Sequence, residues 1–287
     1  MKKIVLGTKP NAGYAQVPTE EAVPMLSPTA ASSAPPRKPI TRRLPFSRIW
    51  TRNVIFTLIA IAFFDFNLGA FTNIWSLFLS TPRHSNSESK PRRRDLPFLF
   101  TGGLGMPASI VGIATSILGI IGMILQLTLY PPIQARLGTL RSFRWFLPLF
   151  AICYFIAPIL AILPSSSKPP EAASGPIVWL GITFVLFLQV TARTFTMPAS
   201  IILLNNCSPH PSVLGTIHGL GQSVSAMFRT VGPVLGGWWY GYGLDIGMVA
   251  WGWWGVAIVT ALGGVAALGM YEGSGHEIIL DGEEEEL

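Results

Sequence analysis

Charge is what this sequence has least of. Lys and Arg number 20 and Asp and Glu 14 among 287 residues, so charged side chains make up 12%, against about 25% in soluble globular domains. A soluble enzyme of this size would lack the charged surface that keeps it in solution. Cysteine is scarcer still. Cys153 and Cys207 are the two in the chain, too few for a disulfide framework or a cysteine-rich metal site. The four His, at 84, 210, 218 and 276, are scattered without metal-ligand spacing. HExxH, GxSxG and P-loop motifs are missing, and no two acids share an apolar run. No catalytic residue, metal ligand or cofactor is therefore expected. An apolar stretch soon after Met1, as a secretory signal needs, is also lacking, so no cleaved leader is expected.

What the chain does have is apolar surface: half its residues are hydrophobic, with 9 Trp and 17 Phe. That excludes disorder as the whole account, because disordered chains are poor in apolar and aromatic residues. Six apolar segments run at about 53–79, 109–130, 145–163, 177–204, 213–239 and 248–270. Each approaches the roughly 20 residues a helix needs to span a bilayer. Backbone amides in hydrocarbon must bond within their own segment, so the segments are expected as helices, and they are too long and too uniformly apolar for membrane β-strands. The expected fold is an all-α membrane protein, a six-helix transmembrane bundle over 51–272. Residues 1–50, rich in Pro, Ala, Ser and Thr, read as a flexible hydrophilic cytoplasmic segment, and 273–287 as an acidic cytoplasmic tail.

The basic residues flank these spans, where Lys and Arg set orientation, so the net charge of +6 does not point to nucleic acid. Nine flanking basic residues, Arg37 to Arg52 and those of 131–144, lie on the side of the termini, against six on the other. Both termini are thus expected in the cytoplasm, and the lipid bilayer is the first partner; plasma and vacuolar membranes stay equally open. The sequon Asn206-Cys207-Ser208 then falls on the cytoplasmic side.

Asp65, Arg193 and Arg229 are the charged residues that lie inside the apolar segments. Each costs about 2.5–3.5 kcal/mol at mid-span, so it is expected to face a partner or a watery cavity. Asp65 reads either as half of a structural ion pair or as a proton acceptor or substrate contact in a transport pathway. Arg193 and Arg229 are its natural partners, since a guanidinium stays charged and forks two bonds to a carboxylate or phosphate. One Asp does not neutralise two Arg, which leaves room for an anionic solute or an acid from another polypeptide. Asn67, Gln126, Gln189, His218 and Gln222 complete the expected pathway set, with Asn73 another polar residue in the spans; interhelical hydrogen bonding is their plainer role. Gln189 and Arg193 are four apart, as are His218 and Gln222, so each pair shares a helical face. Gly215 and Gly219, and Gly232 and Gly236 around Pro233, form two GxxxG motifs in one span, suited to close packing or to a hinge. Arg136, Gly138 and Arg141 in the expected turn at 131–144 read as a latch on helix ends or an anchor to anionic headgroups.

FLSTP with FTGGLGMP, GIIGMILQLTLYPPIQARLG, and TMPASIILLNNCSPHPSVLGTIHGLGQSVSAMFRTVGPVLGGWW are the stretches that carry a family resemblance. Over about 45–272 the chain resembles the carboxy-terminal six-helix half of a fungal major facilitator superfamily transporter, of the multidrug, proton-antiporter type. The resemblance implies half of that fold, with residues 1–50 as the central cytoplasmic loop. It implies alternating-access transport of a small-molecule solute driven by a proton gradient, with no bound cofactor. It also implies a partner six-helix half, or a homodimer. The RLG of the basic loop lacks the acid of the superfamily's fuller motif. Two other readings stand beside transport: a non-transporting membrane protein that binds or regulates a full-length relative, and a membrane enzyme with an unrecognised site.

Overall fold

The computed structural model describes residues 44–83 and 102–280. The chain divides into two units, Met1–Ile40 and Thr41–Leu287. The first unit, the PRRRD cluster at 91–95 and the acids of 281–287 lie outside the described residues.

The second unit is helical. Its elements are α1 Arg52–Ser80, α2 Ala108–Thr128, α3 Tyr130–Leu137, α4 Thr139–Ile156 with a 3-10 continuation Ala157–Ile162, α5 Pro176–Asn206, α6 Leu214–Asp245 and α7 Ala250–Leu268. Among the described residues the one β feature is an isolated bridge between Arg83 and Gly102. Helix starts follow local chemistry. Thr51, in extended conformation, accepts a hydrogen bond from the Val54 amide at the head of α1, and Pro176 opens α5 after Gly175, whose φ of +108° a side chain would strain.

Five helical stretches are long and apolar enough to cross a membrane: Arg52–Ser80, Ala108–Thr128, Thr139–Ile162, Pro176–Asn206 and Ala250–Leu268. Helix α6 is not among them, although it is 32 residues long. Its glycines, with His218, Gln222, Ser225 and Arg229, dilute its apolar content. The basic stretch 131–144, expected as a turn, is helical: it forms α3 and the start of α4. Pro131 and Pro132 fall in the first turn of α3, where their missing amides cost nothing. Gly138, at φ +72°, makes the break between the two helices. GYGLD at 241–245, expected as a connection, is the last turn of α6.

Helix α1 is the axis of the bundle, buried along most of its length. It packs against α6 and α7, while α4 packs against α5 and α7, and α2 lies against α5. The core is aromatic. Phe71 stacks on Trp75 and Tyr154 at 5.6 and 5.7 Å, and Trp253 meets Trp75 and Phe78 edge-on at 6.3 and 5.7 Å, offset and T-shaped arrangements that favour the ring quadrupoles. Helix α2 buries only Ala114 and Leu125.

The approach of α1 to α6 depends on small residues. A Cβ at Gly232 would lie 2.3 Å from the Phe66 carbonyl oxygen, and one at Gly69 would lie 2.6 Å from that of Arg229. Pro233 has no amide to donate to the Arg229 carbonyl one turn back. That carbonyl instead faces Gly69, and the Asn73 side-chain amide donates to the Pro233 carbonyl at 2.7 Å.

A second apolar cluster sits at the amino-terminal end of α1, where Leu44, Ile49, Val54, Leu58, Leu204, Cys207, Val213 and Ile217 pack with Ile278 and Leu280. The described part of the expected acidic tail, up to residue 280, thus packs back on the bundle. The Tyr271 amide donates to Asn53 Oδ1 at 3.0 Å and the Ile278 amide to the Pro209 carbonyl at 2.9 Å.

Candidate functional site

A cleft of about 650 Å³ opens among α1, α2, α5 and α6. Helix α1 contributes Gly69, Phe71, Thr72, Asn73, Trp75 and Ser76; α2 contributes Thr115 and Leu118; α5 contributes Gln189, Val190, Arg193 and Met197; α6 contributes Arg229 and Pro233. The Thr72, Asn73 and Ser76 positions share one face of α1 with Gly69 because they recur at three- and four-residue spacing. Apolar walls with a few convergent polar groups are the usual make-up of a small-molecule site.

Asp65 lies just beneath this cleft, near the middle of α1. Arg229 donates from a terminal guanidinium nitrogen to Asp65 Oδ1 at 2.6 Å. The same nitrogen lies 3.4 Å from Ser225 Oγ, one turn earlier on α6. The pair is asymmetric: the carboxylate side chain is 4% exposed and the guanidinium 56%. A buried carboxylate needs a counter-charge and hydrogen bonds to persist as an ion. Arg229 supplies both, from a helix brought close by Gly232 and Gly236, where Cβ atoms would crowd Phe66 and Ala70.

Arg193 also lines the cleft, and it has no ion-pair or hydrogen-bond partner among the described residues. Gln189, one turn before it, is 2% exposed, and its Oε1 is buried without a partner. Asn67 faces the other way, into the bundle. The Tyr154 hydroxyl donates to Asn67 Oδ1, while Asn67 Nδ2 is left unpartnered.

The remaining expected pathway residues are not in the cleft lining. Gln126 and Gln222 are exposed. His218 contacts Asn205 Oδ1 through Nε2 and so joins the start of α6 to the end of α5. It lies 11 residues from Arg229, about 16 Å along the helix at 1.5 Å per residue. Gly215 and Gly219 have nothing within 4 Å of an added Cβ, whereas Gly232 and Gly236 are close-packed.

The latch expected on Arg136, Gly138 and Arg141 is made by a neighbour. Arg136 and Arg141 are exposed, without hydrogen bonds among the described residues. Arg144 instead donates to the carbonyls of Ala267, at 3.0 Å, Leu268, at 3.0 Å, and Met270, at the end of α7. A cation at a helix carboxy terminus meets orphan carbonyls and the negative end of the dipole. Counting bases in 131–144 does not separate Arg144 from the other two; what does is that its side of α4 meets the end of α7.

Sequence reading also left Thr72, Trp75 and Ser76 out of the site, and Tyr154 out of the interior hydrogen bonding with Asn67. A tyrosine in an otherwise apolar span, and hydroxyl residues flanking Asn73 one turn apart, are the signals that would have found them. Among the described residues no three His, Cys, Asp or Glu side chains gather as metal ligands would.

The arrangement defines an integral membrane protein, an α-helical bundle whose cleft is lined by two guanidinium groups, one of them paired with a buried carboxylate. Over 225 residues the chain is 31% identical to the major facilitator superfamily multidrug transporter mfsB of Aspergillus fumigatus, a match covering 78% of this chain and 35% of the transporter. The chain thus spans about a third of the length of that relative. No protein-family model matches the chain, and no solved structure does.

Proposed function

We propose that the chain is part of a major facilitator superfamily transporter and that it moves a small solute through the cleft among α1, α2, α5 and α6 by alternating access. In this reading α6 also crosses the membrane, as the fifth of six spans, the chain supplies the carboxy-terminal six-helix half, and both termini face the cytoplasm. The observation that carries it is the ion pair of Asp65 and Arg229 at mid-span, beside a cleft that also holds Arg193. Intramembrane charge is retained where it lines a substrate or ion path, and transporters of this build hold substrate at mid-depth between repeats. Similarity to mfsB supports transport as the activity, and the one-third coverage supports a second set of helices as partner, from a longer polypeptide or a second copy of this chain.

Asp65 is the proposed coupling group. Protonating it removes the charge that holds Arg229, so proton binding and the position of the α6 guanidinium become linked. Such a link can couple a proton gradient to solute movement, because a ligand shifts a conformational equilibrium only by its differential affinity for the two states.

The test is dye uptake into proteoliposomes under an imposed pH gradient, with the chain alone and with the amino-terminal remainder of mfsB co-reconstituted. Expected is uptake that collapses with a protonophore and loses its gradient dependence in Asp65→Asn. No uptake in either preparation overturns the transport reading and leaves a protein that binds or regulates a longer relative. Uptake whose pH dependence is unchanged in Asp65→Asn keeps transport and removes Asp65 from coupling.

A further inference from the structure

Resting on the reading of the cleft as a solute site, we infer that its ligand is an organic monoanion: an acid group seated on Arg193, with an apolar, preferably aromatic, body against the α1 wall. Charge in the cleft comes first. Asp65 is engaged by Arg229 at 2.6 Å, which leaves one guanidinium, that of Arg193, without a counter-ion among the described residues. Arg193 cannot escape to the bilayer surface. It lies two residues from the centre of α5, so with that helix centred on a hydrocarbon core of about 30 Å it is about 12 Å from the nearer edge, farther than its side chain reaches. A mid-depth cation with no protein anion is stabilised by a bound one.

Two buried groups, one on α1 and one on α5, point the same way. Trp75 Nε1 and Gln189 Oε1 both lack partners, each on a residue 2% exposed and each lining the cleft. Buried polar atoms are nearly always satisfied, so an unpaired donor and an unpaired acceptor on residues that line the same cleft as Arg193 support a ligand with a polar end there. The indole N–H suits the second oxygen of a carboxylate; the amide oxygen suits a hydroxyl or N–H on the ligand. Leu68, Phe71, Leu118, Val190 and Met197 supply apolar lining, beside the neutral polar groups of Thr72, Asn73, Ser76 and Thr115. One free guanidinium matches one negative charge, so a dianion would be left half unpaired in an apolar site.

Three probes with one aromatic body separate charge from shape: 1-naphthoate, 1-naphthamide and 1-naphthylmethylamine. Equilibrium binding to the full chain is measured in phosphatidylcholine nanodiscs. Naphthoate is expected to bind at least about tenfold tighter than the other two, a difference equivalent to about 1.4 kcal/mol. Arg193→Gln should erase the preference, and Arg193→Lys, which keeps the charge but loses the fork, should retain part of it. Equal binding of all three probes overturns the anion inference and leaves the cleft a solute site. Binding of none overturns both. A preference that survives Arg193→Gln places the anion elsewhere and overturns the assignment. Displacement of naphthoate by phosphatidylglycerol in the nanodiscs assigns Arg193 to a lipid headgroup and overturns a solute acid. The wild-type comparison decides the charge question even if a variant fails to fold.

Discussion

Arg229 reaches Asp65 from the cleft side: 2.6 Å separates donor nitrogen from Oδ1, and the carboxylate is buried while more than half of the guanidinium side chain is open. Removing either partner therefore does different things. Arg229→Ala strands a buried carboxylate, at a cost of about 1–3 kcal/mol or more. Asp65→Asn leaves a cation that still reaches the cleft, and should cost about 1 kcal/mol or less. SDS unfolding in mixed micelles, followed by Trp fluorescence, should rank Arg229→Ala as the less stable. The double variant should recover part of the loss, because it leaves no stranded charge. Equal effects from both singles would mean that the pair is not asymmetric in the membrane.

The two GxxxG motifs of α6 make opposite forecasts. Gly232→Ala puts a Cβ 2.3 Å from the Phe66 carbonyl oxygen and 3.0 Å from the Ala70 amide. Backbone must move, at about 1–3 kcal/mol. Gly219→Ala meets nothing within 4 Å, so the gain in helix propensity, about 0.5–1 kcal/mol, should appear as a higher unfolding midpoint. The same unfolding assay reads both. Loss of stability in Gly219→Ala would reveal a packing partner at that face.

Arg144 should matter where its neighbours do not. It holds three carbonyls at the end of α7, and bonds to charged donors contribute about 1.5–3 kcal/mol each before screening and exposure reduce them. Arg144→Gln is expected to destabilise by about 2 kcal/mol and to speed amide hydrogen exchange in the last turn of α7. Arg141→Gln, exposed and unbonded, should change neither.

How far the sequence discloses this molecule depends on the length scale of the signal. The apolar runs predict every long helix, because length and hydropathy alone decide that a backbone in hydrocarbon is helical. Asp65, Arg193 and Arg229 stand out for the same reason: charge inside such a run is expensive. Which arginine takes Asp65 is not legible, since both sit near mid-span and the choice depends on the Gly69–Gly232 approach between helices far apart in sequence. The same limit hides Arg144, and it hides Trp75 and Tyr154, whose polar ends acquire meaning only from the helices opposite. The stretch 131–144 reads as a turn because it is short and basic between two apolar runs, yet Pro131 and Pro132 sit in the first turn of a helix, α3. His218 and Gln222 lie 11 and 7 residues before Arg229 and Gln126 lies 11 after Thr115, so each shares a helical face with a cleft residue and misses the cleft by its position along the helix, which periodicity does not report.

Cys207 reports on the packed segment that follows α7. It lies just past the end of α5, buried in the cluster against which Ile278 and Leu280 pack, and burial pushes its thiol up from 9.0 to about 11. The thiolate is the species that reacts with maleimide. At pH 8 a thiol of 9.0 is about one-tenth thiolate, and one of 11 about one-thousandth, so labelling of folded protein should be about a hundredfold slower on this ground alone. In a Cys153→Ser background, which leaves Cys207 as the single thiol, Ile278→Asp should loosen the cluster by burying an unpaired charge. Labelling at pH 8 should then rise at least about tenfold, while far-ultraviolet circular dichroism stays unchanged because the helices of the bundle do not depend on residue 278. The sign is fixed by the chemistry: exposure lowers the thiol toward its ordinary value and increases thiolate at any pH below it. Fast labelling of Cys207 in the unmutated segment would show that 271–280 does not cover this end of α1 in the membrane.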